Sequence, residues 1–381
     1  MATVDVRPVR TRRDRRTFLT FPWRIYREDP LWVPPLLPER VKTIDPARGF
    51  FFQRGEAEFF VAWRGGEPVG TICAAEDPPT NEARGTRECV WGFFESIDDA
   101  TVATALFGAA ASWARPRGLD TLYGPYNLDY EDAYGILVEG RDRPPALMCG
   151  HTPKYYQRLV EGCGHVAARG DNIAFAYDFG SELAQEAGPK RLARVAEGVR
   201  RRRPSFSVRG ANLADWDGEV GRIHYLLTHS LGHDGLDSIP WRRDALERAV
   251  LPFKTIADPE LILFAMDGDR AVGWLPGIPN LNEHFQRVNG LRYPWNYVQL
   301  AYLMRKPTKG LAIKSLLALP EYWDSGIFAL MFDEMVRLGL EKGYTWVDLS
   351  ITSEDNPQTP LLAKRLGANL YKRWRVYHRP I

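Results

Sequence analysis

The chain is 381 residues long, 45% hydrophobic and 26% charged, and 50 Lys and Arg against 48 Asp and Glu leave a formal net charge of +2. Such a length holds two ordinary domains, and the near-neutral balance argues against a nucleic-acid partner. No run of about 18 apolar residues is present and the N-terminus lacks a signal-like apolar stretch, so a cytoplasmic location without a membrane partner is expected.

In chain order, a strand over residues 4–8 leads into a helical stripe over 12–27, carrying Phe18, Phe21, Ile25 and Tyr26, which Pro22 should break. Asp29-Pro30-Leu31-Trp32-Val33-Pro34-Pro35 forms a rigid turn before a short helix that ends near Thr43. Strands are expected at 58–63, 68–75 and 88–95. An Ala-rich helix over 98–115 follows, capped by Ser96 or Asp98. A strand at 121–123, a helix at 153–163 and a strand at 172–178 complete the first unit, and 180–203 reads as a charged helical connector. The second unit begins with a strand at 205–209, helices at 216–231 and 241–251, and strands at 261–266, 271–276 and 312–319. It ends with a helix at 326–342, a strand at 345–351, a helix at 357–366 and a single strand at 370–378. Cys73, Cys89, Cys149 and Cys163 lack Cys-x-x-Cys spacing and read as core residues of a reducing compartment. Of His224, His229 and His233 only the last two share a helix face, so no metal site is expected.

This order of elements is written twice. Phe60-Val61-Ala62-Trp63-Arg64-Gly65-Gly66-Glu67-Pro68-Val69-Gly70 returns as Leu263-Phe264-Ala265-Met266-Asp267-Gly268-Asp269-Arg270-Ala271-Val272-Gly273, a strand, a Gly-containing turn and a strand. Each half also holds an excursion that the other lacks, around 124–150 and 276–310. Both are rich in Trp, Tyr and Asn, which predicts ordered, pocket-forming loops.

The stretch from Asp348 through Asn356, the helix ending Lys364-Arg365-Leu366-Gly367 and the strand around Tyr371 to Tyr377 resemble the GNAT-type N-acyltransferase superfamily. The whole chain is similar to a group of bacterial tandem-domain proteins of unassigned function that share the Asp-Pro-x-Trp-Val-Pro-Pro opening, a Gly-Pro-x-Asn stretch as at Gly124 to Asn127, and the Glu-Asp-Asn turn. The resemblance implies an α+β fold of two tandem GNAT-like domains, each a mixed, mostly antiparallel sheet flanked by helices. The domains are expected at 1–179 and 205–381, with a connector at 180–204.

It also implies an acyl donor, acetyl-CoA or another acyl-CoA, whose pyrophosphate rests on the bare N-terminus of the main helix. In the second half the matching turn is Trp323-Asp324-Ser325-Gly326-Ile327-Phe328, where Gly326 fits and Trp323 and Phe328 do not. In the first half Ser96-Ile97-Asp98-Asp99-Ala100 has no Gly and two carboxylates, so the donor is expected in the second domain. Leu317 and Leu319 should pair with the pantetheine arm, and Asn356 should contact the cofactor or cap the next helix. The family's usual Tyr acid is replaced by Ala363, with Val160 at the equivalent place in the first half, and Asp348 and Glu354 are the candidate bases. Asn127, Tyr130 and Tyr156 in the first half, and Asn280, Asn282 and Tyr302 in the second, are candidate contacts for an acceptor, a small-molecule or peptide amine. Two other readings stay open. One is a non-catalytic ligand-binding protein whose cofactor site is filled by Trp323 and Phe328. The other is a Fem-like aminoacyl transferase, which the low net charge does not favour.

Overall fold

Gly65 and Gly66 both take positive φ, 57° and 87°, the backbone of a tight hairpin turn that other residues enter only at a cost. Around them pair the strands Glu56–Arg64 and Glu67–Glu76. Gly268, also at φ 57°, turns the equivalent hairpin of the second half, Ile262–Asp267 with Arg270–Pro279. The computed structural model describes all residues except 1–2, 129–133, 182–188, 231–242, 252–253, 255–256 and 357.

Two sheets grow from these hairpins. The first runs β1 (Asp5–Pro8), β2 (Glu56–Arg64), β3 (Glu67–Glu76), β4 (Glu88–Ser96), β5 (Thr121–Gly124), β16 (Tyr377–Pro380) and β7 (Val166–Ala167). The second runs β6 (Ile136–Glu139), β15 (Asn369–Arg375), β8 (Asn172–Asp178), β14 (Trp346–Ser353), β12 (Gly310–Ile313), β11 (Arg270–Pro279), β10 (Ile262–Asp267) and β9 (Phe206–Arg209), with β13 (Leu317–Ala318) also on β11. Among the described residues only β4 with β5 and β12 with β14 pair in parallel. The α+β expectation of two mixed, mostly antiparallel layers therefore holds.

The strand partners differ from the expected ones in one respect. β8, read as closing the first unit, lies in the second sheet between β15 and β14. The run at 370–378 breaks at Val376, and β16 crosses into the first sheet between β5 and β7. Each half thus gives its last strand to the other, and the sheets do not part at 179. Alternation along a strand reports which face is buried but not which neighbour it pairs with.

At the crossing the two halves of the chain are tied. Asp171, buried and just before β8, accepts from Arg375 Nε at 2.8 Å and from its terminal nitrogen at 2.9 Å, with Arg373 at 3.3 Å. Arg375 ends β15, immediately before the crossing to β16.

Each sheet carries a long helix that follows its central strands, and the second is also covered by Trp216–Ser230. Ala100–Ala114 lays Val102, Leu106, Phe107 and Ala110 on the first, and Ile327–Glu341 lays Leu330, Met331 and Met335 on the second. The cap of the first is Asp99, which accepts from Thr101 N, rather than Ser96 or Asp98. Asp99 is the last residue with extended backbone, so its carboxylate is the one that reaches the free amides. Pro22 breaks the N-terminal helix as expected, into Arg12–Thr20 and Pro22–Ile25. The four cysteines are free thiols, three of them buried.

Both excursions are ordered where described, and they meet. The first sends β6 onto the edge of the second sheet, where the buried Lys372 ammonium holds the carbonyls of Gly140 and Arg143. The second contains a helix, Pro294–Leu303, that the sequence pattern did not announce. Asn280 accepts from Leu147 N at 2.9 Å and Asn282 donates to the carbonyls of Pro145 and Ala146.

Asp171 is buried, whereas Arg375 and Arg373 are partly exposed and keep Glu161 and Glu354 as further partners. Asp171→Ala is therefore expected to lower stability by roughly 1–3 kcal/mol through its lost charge-assisted hydrogen bonds, and both sheets should still melt in one urea transition because each holds a strand of the other. Two separated transitions would contradict the coupling.

Candidate active site

The strand β4 reads Val90-Trp91-Gly92-Phe93-Phe94-Glu95-Ser96, apolar until its end. At Gly92 a Cβ would come within 1.7 Å of the Tyr126 carbonyl, so only glycine lets the chain after β5 cross there. Next to it Phe93 has φ 46° and the register with β3 shifts between Thr71 and Cys73, a bulge that re-aims the side chains beyond it. Asn127 secures the bulge by accepting from Phe93 N at 2.7 Å.

Beyond the bulge Glu95 opens into a cavity of about 370 Å³. Its walls come from the N-terminal segment (Phe18, Tyr26, Trp32, Val33), the first excursion (Asn127, Ile136, Leu147, Cys149, His151) and the second (Asn282, Phe285). The opening Asp-Pro-x-Trp-Val-Pro-Pro run and the Gly-Pro-x-Asn stretch both contribute lining residues. The surface is largely aromatic and aliphatic, with a small polar set, the usual composition of a ligand site.

That polar set is interlinked. The Tyr156 hydroxyl donates to Glu95 Oε2 at 2.5 Å and accepts from Ser96 N at 2.9 Å. Tyr26 gives its one hydroxyl proton to the His151 carbonyl at 3.2 Å, so Tyr156 is the hydroxyl that stabilises the Glu95 carboxylate. Burial nevertheless dominates and pushes the Glu95 carboxyl up to about 7. Burial also raises the Tyr26 and Tyr156 hydroxyls well above their ordinary value, with the Glu95 charge adding to it. His151 Nε2 lies 2.7 Å from Asp29, while its Nδ1 is buried without a hydrogen-bond partner. A carboxylate can only accept, so Nε2–H of the neutral ring donates to Asp29 and Nδ1 is left as an acceptor. Burial lowers the His151 pKa and Asp29 works against that shift.

The residues proposed from sequence fall in several places. Asn127 lines the cavity and Tyr156 supports its carboxylate. Asn282 lines it too, with its amide given to backbone carbonyls, and Asn280 ties the two excursions behind it. Tyr302 is on the surface at 58% exposure, and Tyr130 lies outside the described residues. Asp348 is fully buried, accepting from Tyr371 at 2.8 Å and from Lys314 at 3.3 Å, and does not line the cavity. Glu354 pairs with Arg373 at 2.7 Å.

The turn 323–328 is closed. Leu319 N bonds Val272 O at 2.9 Å, Leu317 pairs with Trp274, and the Trp323 indole donates to the Ala318 carbonyl at 2.9 Å. Gly326 has φ 88°, and a Val199 methyl from the helix Pro189–Arg202 stands 2.5 Å from where its Cβ would be. Ser325 accepts from Ile327 N, Ile327 is buried, Phe328 is half-buried, and Asp324 is exposed. Asn356 accepts from Thr359 N and donates to its hydroxyl, as a helix cap does. A second cavity of about 350 Å³ lies under this helix, lined by Ile313, Met335, Leu349 and other apolar residues with Arg191 and Arg365, and without a carboxylate or imidazole.

Glu95, Tyr26, Asp29 and His151 were not singled out from the sequence. A lone acid at the end of an apolar strand was the available signal for Glu95, and Asp29 stands at the head of the Trp-Val-Pro-Pro run.

Two mostly antiparallel sheets, each with one parallel pair among the described residues and flanked by helices, define a tandem GNAT fold. A tandem GNAT protein from the clavulanic acid biosynthesis pathway superposes with a TM-score of 0.57 over 99% of this chain and 98% of that one, at 12% identity. In sequence the chain is 28% identical to the bacterial ceramide synthase of Caulobacter vibrioides, across 100% of this chain and 98% of that protein. It is 26% identical to protein YghO of Escherichia coli, across 99% and 95% respectively. No family model matches the chain.

A carboxyl raised from 4.5 to about 7 by burial favours the folded state only while it is protonated. That contribution is complete below the unfolded value and is lost as pH rises through about 7. Glu95→Gln should therefore melt like the parent protein near pH 4 and higher than it near pH 8, by a few kcal/mol. Coincident melting curves at both pH values would contradict the buried carboxylate.

Proposed function

We propose that this protein is an N-acyltransferase that joins the acyl group of a CoA thioester to the primary amine of a long-chain amino alcohol. A ceramide is the amide of a fatty acid with such an amine, and a ceramide synthase is similar to this chain from end to end. Glu95 carries the assignment: a carboxylate with a raised pKa, held by tyrosine at the wall of an apolar cavity, is suited to take a proton from an ammonium whose alkyl chain fills the rest.

The amine nitrogen, once deprotonated by Glu95, attacks the thioester carbonyl. The C–N bond forms, the C–S bond breaks, and the sulfur leaves as a thiolate that takes up a proton. Tyr26, which lines the cavity and stays protonated at neutral pH, supplies it in this scheme and is restored by the second proton, which the nitrogen sheds as the amide forms. The proton on Glu95 passes to water, so that an ammonium and a thioester give an amide, a free thiol and one released proton. His151, oriented by Asp29, offers its Nδ1 as a second acceptor at the same wall. Nothing in this scheme uses Asp348, whose two partners hold the excursion rather than face the cavity.

The donor's CoA end is assigned to the turn 323–328, which must open at Trp323 and Val199 to receive it. Asp324 opposes phosphate there, so Asp324→Ala should tighten acyl-CoA binding about two- to fivefold at low salt. Unchanged affinity in calorimetric titration would move the donor elsewhere.

Glu95→Gln should lower kcat/KM by roughly 10²- to 10⁴-fold, and the parent rate should rise with pH through about 7. Along a series of linear primary amines KM should fall about fourfold per methylene until the cavity is full. A rate indifferent to Glu95, or to chain length, would refute this function.

A further inference from the structure

Residues 285–310 contain five basic side chains, Arg287, Arg292, Arg305, Lys306 and Lys309, and no Asp or Glu, in a chain whose charges otherwise nearly cancel. Among the described residues none of the five pairs with a carboxylate. The same segment carries the helix Pro294–Leu303, which turns only Asn296 and Leu303 fully inward. Outward it presents Trp295 at 63% exposure, Val298 at 72% and Tyr302 at 58%, with Tyr293, Tyr297 and Met304 beside them. Trp295, Val298 and Tyr302 stand at i, i+3 and i+7, one stripe of the helix. Cations are set around the stripe: Lys306 lies 5.2 Å from the Tyr302 ring and Arg292 5.8 Å from the Tyr293 ring, which stacks on Trp295 at 4.6 Å.

Water-facing Trp, Tyr and Val with uncompensated Arg and Lys form an unstable surface for a protein in solution, and a suitable one for the headgroup boundary of a bilayer. There aromatic rings bury one edge and the cations meet anionic lipid. At about 1.5 Å per residue the helix is roughly 15 Å long, too short to span and long enough to lie in the plane. We infer that this face docks the protein on an anionic membrane surface, with Trp295 and Val298 in the acyl boundary and the five cations on the headgroups.

The patch also connects to the cavity. Trp23 donates to Asn289 at 2.5 Å and packs over Gly290, and Phe285 and Asn282, earlier in the same excursion, line the Glu95 cavity. Docking would bring the cavity wall to the lipid from which a long-chain amine is taken up. This last role rests on the function proposed above, whereas docking itself rests on the patch alone.

Sedimentation of the full chain with vesicles tests both. Vesicles of equal parts phosphatidylcholine and phosphatidylglycerol should bind it, and pure phosphatidylcholine should bind it at least tenfold less. Trp295→Ala with Val298→Asp, or Arg305→Glu with Lys306→Glu, should each weaken binding tenfold or more, the charge pair also flattening the salt dependence. Acylation of a short, water-soluble amine should be unchanged in both variants, which also reports that they fold. Absence of vesicle binding, equal binding to both lipids, or a concentration-dependent dimer abolished by Trp295→Ala would overturn docking. Vesicle binding that the variants reduce without slowing acylation of a vesicle-borne amine would retain docking and overturn the delivery role.

Discussion

The bidentate contact between Asp171 and Arg375 stands where the two halves of the chain pass through one another. On one side of it the first half leaves for the second sheet as β8, and on the other the second half leaves for the first as β16. A buried carboxylate needs a partner, and the partner available is the residue that begins the reciprocal crossing. The duplication in the sequence is therefore not a pair of independent modules. Neither sheet is complete without the other half, and the excursion at 124–150 is fixed between them. Trp374, next to Arg375, donates to the carbonyl of Gly150, so the crossing reaches the wall of the cavity within one residue.

The cavity shows the same apolar surroundings acting twice. In the proposed reaction aromatic and aliphatic walls would hold the amine's alkyl chain out of water, and they withhold solvation from Glu95. A carboxylate in bulk water, with its ordinary pKa, would be too weak a base for such an ammonium. Taken into these walls and steadied by Tyr156, it becomes one that titrates near neutrality. The stability lost in holding that charge is offset elsewhere, in the close-packed layers under the two long helices.

Much of the fold was legible in the sequence because glycines marked it. Gly65, Gly66 and Gly268 announce hairpins and Pro22 announces a helix break, each through local backbone preference alone. The exchange of β8 and β16 was not legible, since a strand's own pattern is the same whichever sheet receives it. The site divided along similar lines. The excursions stood out by composition, and Asn127 and Asn282, which line the cavity, lie in them, while Tyr156 stands on the helix that follows the first. Glu95 escaped notice because its character comes from what surrounds it, and the surrounding residues arrive from four separated segments. Asp348 and Glu354 stood out by their place at the edge of the GNAT-like strand, where the fold pairs them with Tyr371, Lys314 and Arg373.

The reciprocal exchange also sets an order on biosynthesis. As the chain leaves the ribosome, β1 to β5 emerge early, yet the strand that must lie between β5 and β7 is β16, some 250 residues later. Until Tyr377–Pro380 appears, the first sheet keeps an open edge at β5, the kind of edge that recruits foreign strands. A nascent chain stalled before that point therefore exposes a sticky, unfinished sheet and no assembled cavity, which makes it a substrate for chaperones and proteases.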